Sequence, residues 1–303
     1  MQARCVSGSN TMQRVSNVQV QASSSVRFTP LQVSNSVKRY AVTRYPRLSQ
    51  DLTCNRRRSG GQSNFGRRDC YFVAGSIRDE ASGTEYPTVQ RFWAGEDCRS
   101  LGASVRSKSF FLFNVNVYSL TCYVEAAKAA KELGVRYRGG FFETEQDFCD
   151  AIMDGAFVKA IQLTILRSNA GSQVADAIEE AIAPRMRMMQ QSATLEEFAG
   201  FFRERSEAIT KGTNVLLLVT PTGTLNVAIR QRADPEQITG EVDWLGGVPD
   251  KVIESPGLCR ALLEVWLGEN SVTPGAKPVF AAGARALLES ENIRRDSRKG
   301  GSG

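Results

Sequence analysis

The chain contains no histidine, which removes Ser–His and Cys–His nucleophile pairs and every His-ligated metal site from its repertoire. Its seven cysteines, Cys5, Cys54, Cys70, Cys98, Cys122, Cys149 and Cys259, are odd in number and never spaced C-x-x-C. Neither a disulfide framework nor a structural zinc site is implied. Gly139-Gly140 and Gly246-Gly247 belong to no phosphate-cradling pattern, and no G-x-x-x-x-G-K occurs. Met186, Met188 and Met189 read as core fillers at a helix end rather than as ligands. The expectation is therefore no metal and no cofactor. Whatever chemistry the chain performs, it performs without imidazole. Taken alone, Arg106 in its Gly- and Ser-rich stretch reads as a solvated surface residue. Tyr118 reads as a core or interface residue whose hydroxyl needs a partner.

The formal charge of +6 invites a nucleic-acid reading until its distribution is considered. Residues 1–50 hold no Asp or Glu and contribute +7, residues 51–68 add +4, and the remainder carries −5. A polyanion-binding domain needs its basic patch in the folded part, so nucleic acid is not the expected partner. The first fifty residues also contain nine serines and no apolar run of secretory length. Basic, acid-free and Ser-rich, residues 1–68 read as an organelle transit-peptide-like leader and linker, disordered as a free segment. The Ser and Val richness points to a chloroplast, hence the stroma, with the mitochondrion as the alternative address. No segment has the roughly 20 apolar residues of a membrane span.

Hydrophobic residues make up 42% of the chain, enough for a sizeable core. Glu85–Trp93 alternates as a half-buried strand, and the aromatic, β-branched run Phe110–Val124 reads as a long one. Phe157–Leu166 places Phe157, Lys159, Ile161, Leu163 and Ile165 on one largely apolar face. Asn214–Val219 and Thr224–Ile229 form a hairpin through Thr220-Pro221-Thr222-Gly223. Helices are expected from Glu125 to Leu133, closed by Gly134, and from Ser172 to about Met189. Another follows a capping box at Thr194-Leu195-Glu196-Glu197, and two more start at Ser255-Pro256 and Thr273-Pro274. From Glu291 the basic Gly-Ser tail, 291–303, reads as frayed and disordered. Without strict βαβ alternation, one α+β domain over about 80–290 is expected, a mainly antiparallel sheet with helices on one face.

The order of these segments resembles the chalcone isomerase family. LGASVRSKSFFLFNVNVYSLTCYVE (101–125) is similar to its glycine-rich turn, binding arginine and long strand. QDFCDAIMDGAFVKAIQLTIL (146–166) is similar to the next helix and strand, and GTNVLLLVTPTGTLNVAIR (212–230) to the hairpin. LCRALLEVWLGENSVTPGAK (258–277) resembles the final helix pair. The resemblance implies a chalcone-isomerase-type open-faced β-sandwich over about 85–288.

It also implies a site. The isomerase closes a chalcone to a flavanone by attack of a phenolate on an enone. Its binding arginine corresponds to Arg106, in the turn. The threonine twelve residues on corresponds to Tyr118, the helical tyrosine to Val174 and the asparagine after it to Ala181. The threonine–methionine pair corresponds to Val265 and Trp266. Three polar catalytic positions thus become apolar, and each lost oxyanion donor can cost about 3–4 kcal/mol in a transition state. Efficient isomerisation is not expected. An apolar cleft with Arg106 and Tyr118 at its polar end suits a carboxylate on an aliphatic chain. The resemblance to the plastid fatty-acid-binding branch therefore implies a non-catalytic binder of medium- to long-chain fatty acids, with a role in fatty-acid metabolism or storage. Two alternatives stand beside it: an intramolecular lyase with an altered substrate, and a non-catalytic partner of a polyketide synthase.

Overall fold

The computed structural model describes residues 75–93, 95–110, 113–167, 171–231, 244 and 247–300; the leader expected over 1–68 lies outside them. Seven strands follow one another as an antiparallel meander, each pairing with its sequence neighbour: β3 (Val89–Arg91), β4 (Asp97–Phe110), β5 (Phe113–Glu125), β6 (Lys159–Ile165), β7 (Asn214–Val219), β8 (Thr224–Arg230) and β9 (Lys251–Glu254). A separate two-stranded ladder, β1 (Ser76–Arg78) with β2 (Glu85–Pro87), precedes them. The helices are α1 (Ala126–Arg138), α2 (Glu145–Asp154), α3 (Gly171–Met188), α4 (Ser192–Glu204), α5 (Pro256–Leu267) and α6 (Ala276–Gly300).

Alternation along the strands divides the sheet into two faces. Leu120, Cys122 and Val124 of β5, Ile161, Leu163 and Ile165 of β6, and Val215, Leu217 and Val219 of β7 join the helices in the main core. The other face carries Tyr123, Ala160, Leu216 and Leu218, packed under Phe92 and Trp244. Tyr123 Oη reaches across to donate to the Pro87 carbonyl at 3.0 Å, which ties β2 to this side. The expected sheet with a helical layer on one face is what forms.

Local chemistry explains several elements. Gly223 takes φ +80° in the hairpin turn, where Thr220 N donates to Thr224 O and Gly223 N to Thr220 O. A Cβ there would come within 2.6 Å of the Pro256 side chain and 3.0 Å of its Cα. Gly223→Ala therefore combines left-handed strain with a backbone clash. It should destabilise by about 2–4 kcal/mol and lower the melting temperature by roughly 5–15 °C. A thermal scan with an unchanged midpoint would show that the turn tolerates the added side chain. Ser255 caps α5 as expected, its hydroxyl accepting from Leu258 N at 3.0 Å, with proline at the start of the helix.

Several expectations for individual elements fail. The Gly- and Ser-rich stretch around Arg106 is no turn but the body of β4, where β5 pairs with Ala103 to Phe110. Gly134 does not end α1 and is buried inside it, where Leu288 of α6 passes 3.9 Å from the place a Cβ would occupy. Thr194 lies within α4, which begins at Ser192. The capping box stands at α2 instead, between Thr144 and Asp147. Helix α6 runs from Ala276 to Gly300.

Candidate ligand-binding site

Arg106 and Tyr118 are direct partners across the β4–β5 ladder, so their side chains leave the same face of the sheet. Two irregularities set that register. Between Ser100 and Ala103 the pairing slips by one residue on β4, where Gly102 adopts φ +128°. A second slip follows Arg106, because the next pair is Ser107 with Asn116 and Val117 is left over as a bulge. Leu166 N holds that bulge by donating to Val117 O at 3.1 Å. The bulge lies next to the Arg–Tyr pair, the position at which a sheet re-aims side chains.

Tyr118 is 4% exposed, and its hydroxyl accepts a 3.0 Å hydrogen bond from Trp266 Nε1, itself 1% exposed. Burial pushes the phenol's pKa up, while the indole N–H, the charge of Arg106 and the Thr273 hydroxyl pull it back in part. Near neutral pH the group is a phenol, a donor and not a base. Arg106 is half-buried and gives one N–H of Nη1 to the carbonyl of Val272. Among the described residues it has no acidic partner. The turn that receives it is tightly built: Val272 N donates to Val265 O at 2.9 Å, Ser271 Oγ donates to Trp266 O at 2.8 Å, and Thr273 N donates to Ser271 Oγ at 3.1 Å. Beside it, Thr273 Oγ1 is buried and makes no hydrogen bond of good geometry.

Of the residues expected at the site, Arg106, Tyr118 and Trp266 meet. Trp266 does so through its polar edge, not as the plain apolar wall anticipated for it. Val265 is buried in the main core, and Ala181, on α3, packs against that core while partly exposed. Val174 lies in the first turns of α3, and its side chain is outside the described set. Sequence reading missed the contribution of Val272 and Thr273. Their only signal was the Thr-Pro pair, which suggested a helix cap. In the structure α6 begins later, at Ala276, whose N–H is taken by the Thr273 carbonyl, so the hydroxyl is released from capping.

The arrangement offers a guanidinium fork and a neutral phenol beside an apolar core, and it contains no imidazole to move protons. Among the described residues no cluster of His, Cys, Asp or Glu is able to hold a metal, and no helix is long and apolar enough to cross a membrane.

A meandering antiparallel sheet with helices on one face and an arginine–tyrosine pair facing them defines an open-faced sandwich of the chalcone isomerase type. The chain belongs to the chalcone-flavanone isomerase family, whose model matches residues 84–287. It is 30% identical over 184 residues to chalcone–flavanone isomerase 1 of Arabidopsis thaliana, covering 58% of this chain and 68% of the relative. Fatty-acid-binding protein 1 of Arabidopsis thaliana is 24% identical over 220 residues, 70% of this chain and 71% of that protein. The fold is shared with the crystal structure of an Arabidopsis thaliana fatty-acid binding protein, with a TM-score of 0.55 at 22% identity, covering 71% of this chain and 99% of the other.

Proposed function

We propose that this chain is a plastid protein that binds medium- to long-chain fatty acids, with the carboxylate held by Arg106 and Tyr118. The observation that carries the proposal is a half-buried guanidinium with no acidic partner among the described residues, directly opposite a buried, neutral phenol. An unpaired cation in such a place is costly unless an anion completes it. A carboxylate matches the fork bidentately and accepts from the phenol as well. The acyl chain would run between sheet and helices, past Val265 and Ala181 and along α3, the helix to which Val174 belongs. Relatives that bind fatty acids support the reading, and the apolar replacements at the family's polar catalytic positions support it further. The leader's composition favours the chloroplast stroma, and a role in fatty-acid metabolism or storage would follow from the ligand.

Native mass spectrometry of the protein purified from a plastid-bearing host should find C12–C18 acids bound. Protein that carries no acid and takes none up from solution would end the proposal. The rival reading, an intramolecular lyase, has the isomerases among the relatives in its favour. It requires the oxyanion donors that Val174, Ala181 and Val265 do not supply. Chalcone turnover well above the spontaneous rate would reinstate it. Fusing a reporter to residues 1–68 tests the address, since cytosolic retention would refute it.

A further inference from the structure

Thr273 places a buried hydroxyl beside the Arg–Tyr pair. Its side chain is 4% exposed, yet Oγ1 makes no hydrogen bond of good geometry, an expensive state for a hydroxyl that water could otherwise satisfy. The residue is not loosely placed. Its N–H is fixed on Ser271 Oγ, its carbonyl serves Ala276 N, and the preceding carbonyl, that of Val272, receives Arg106. The hydroxyl lies near the phenol of Tyr118 and lowers its pKa, but not at the geometry of a full hydrogen bond.

Counting donors and acceptors shows what the site lacks. Tyr118 Oη already accepts from Trp266 Nε1, so the phenol's own proton must point away from the indole. Arg106 uses Nη1 on Val272 and keeps the N–H groups of Nη2 and Nε. The Thr273 hydroxyl adds a further donor. Donors thus outnumber the acceptors left for them, and they come from β4, β5 and the α5–α6 turn onto one place.

We infer that Thr273 is a third head-group ligand, and that with Arg106 and Tyr118 it makes the site selective for the ionised free acid over an ester or thioester of the same chain. The inference rests on the fatty-acid reading above. A carboxylate presents two oxygens with about four lone-pair positions, enough for the fork, the phenol and the threonine together. An ester offers one good acceptor and no charge, and leaves buried donors stranded, the situation in which binding sites discriminate most sharply.

The test uses the full chain, with lauric acid and methyl laurate as ligands in titration calorimetry or in competition with a fluorescent fatty acid. Wild type should bind the acid at least about a hundredfold tighter than the ester. Thr273→Val removes the hydroxyl at nearly constant shape. It should weaken the acid about tenfold, leave the ester unchanged, and hold or raise the melting temperature of the unliganded protein. Thr273→Ser should keep most of the acid affinity, and it guards against a packing effect of valine. Unchanged acid affinity in the valine variant, or an equal loss for acid and ester, would overturn the role of Thr273 while leaving the fatty-acid reading intact. Wild type that binds neither ligand would overturn the fatty-acid reading and this inference together.

Discussion

Replacing Arg106 by alanine should weaken fatty-acid binding roughly 30- to 150-fold while leaving the protein folded. The ligand's carboxylate loses charge-assisted hydrogen bonds worth about 2–3 kcal/mol in total. The structural cost should be smaller. The Val272 carbonyl loses its donor, but the turn keeps the bonds from Val272 N to Val265 O and from Ser271 Oγ to Trp266 O. A stability loss of about 1 kcal/mol is expected, a few degrees in melting temperature. Arg106→Lys separates charge from geometry, since it retains the cation and loses the planar fork. Its affinity should fall between those of wild type and the alanine variant. Calorimetric titration of the three proteins with lauric and palmitic acid is sufficient. If the alanine variant bound as tightly as wild type, the carboxylate would have to sit elsewhere.

Stability should fall steeply above about pH 9, and buried thiols are the cause. Burial pushes Cys98, Cys149 and Cys259 from the ordinary thiol value of 9.0 up to about 12, in Cys98 with help from the neighbouring charge of Glu125. Cys122, fully buried, is driven up in the same way. The folded protein keeps protons that the unfolded chain releases, so the stabilisation is whole below pH 9 and drains away as pH rises toward 12. Each thiol costs about 1.4 kcal/mol per pH unit in that window. Lys159 opposes them. It is buried on β6 with its ammonium donating to the Met153 carbonyl at 2.6 Å, and burial lowers its pKa from 10.5 to about 8. Between about pH 8 and 10.5 the unfolded chain holds more of that proton, and stability rises. Between about pH 9 and 10.5, four thiols against one lysine approach a net loss of about 4 kcal/mol per pH unit, and beyond that the lysine no longer opposes them. Set against a total of about 5–15 kcal/mol, this should unfold the domain between roughly pH 10 and 12. Urea midpoints at pH 8, 9, 10 and 10.5, measured under reducing conditions, will show it. A flat series would mean that the thiols are wetter than their surroundings indicate. Cys149→Ala should reduce the slope by about one thiol's share.

Much of the fold was legible because the signals that carry it are local. Thr220-Pro221-Thr222-Gly223 forms its hairpin because proline and a positive-φ glycine leave the backbone few alternatives. Ile161, Leu163 and Ile165 face the helices because side chains alternate along any strand. Ser255-Pro256 opens α5 because its hydroxyl lies within reach of the orphan N–H groups of the same turn. The absence of histidine excludes whole classes of chemistry by composition alone. Order of segments was enough to indicate the family, since each segment is recognisable from its own residues.

The site was decided at longer range. Stretch 101–109 is rich in Gly and Ser, which have low strand propensity, and it becomes a strand because β5 pairs with it. Whether Arg106 stands opposite Tyr118 depends on two bulges whose positions are set by the ladder, not by either strand alone. Gly134 could have ended α1, but α6 packs against it and the helix continues. Thr273 could have capped α6, but the turn is folded onto α5 and the hydroxyl is left beside the phenol. By itself the sequence determined the elements, the family and the lack of imidazole chemistry, because propensity, periodicity and composition belong to neighbouring residues. Only the tertiary structure decided which donors meet and which are left unpaired, because a hydrogen bond is satisfied by whatever group the rest of the chain brings to it.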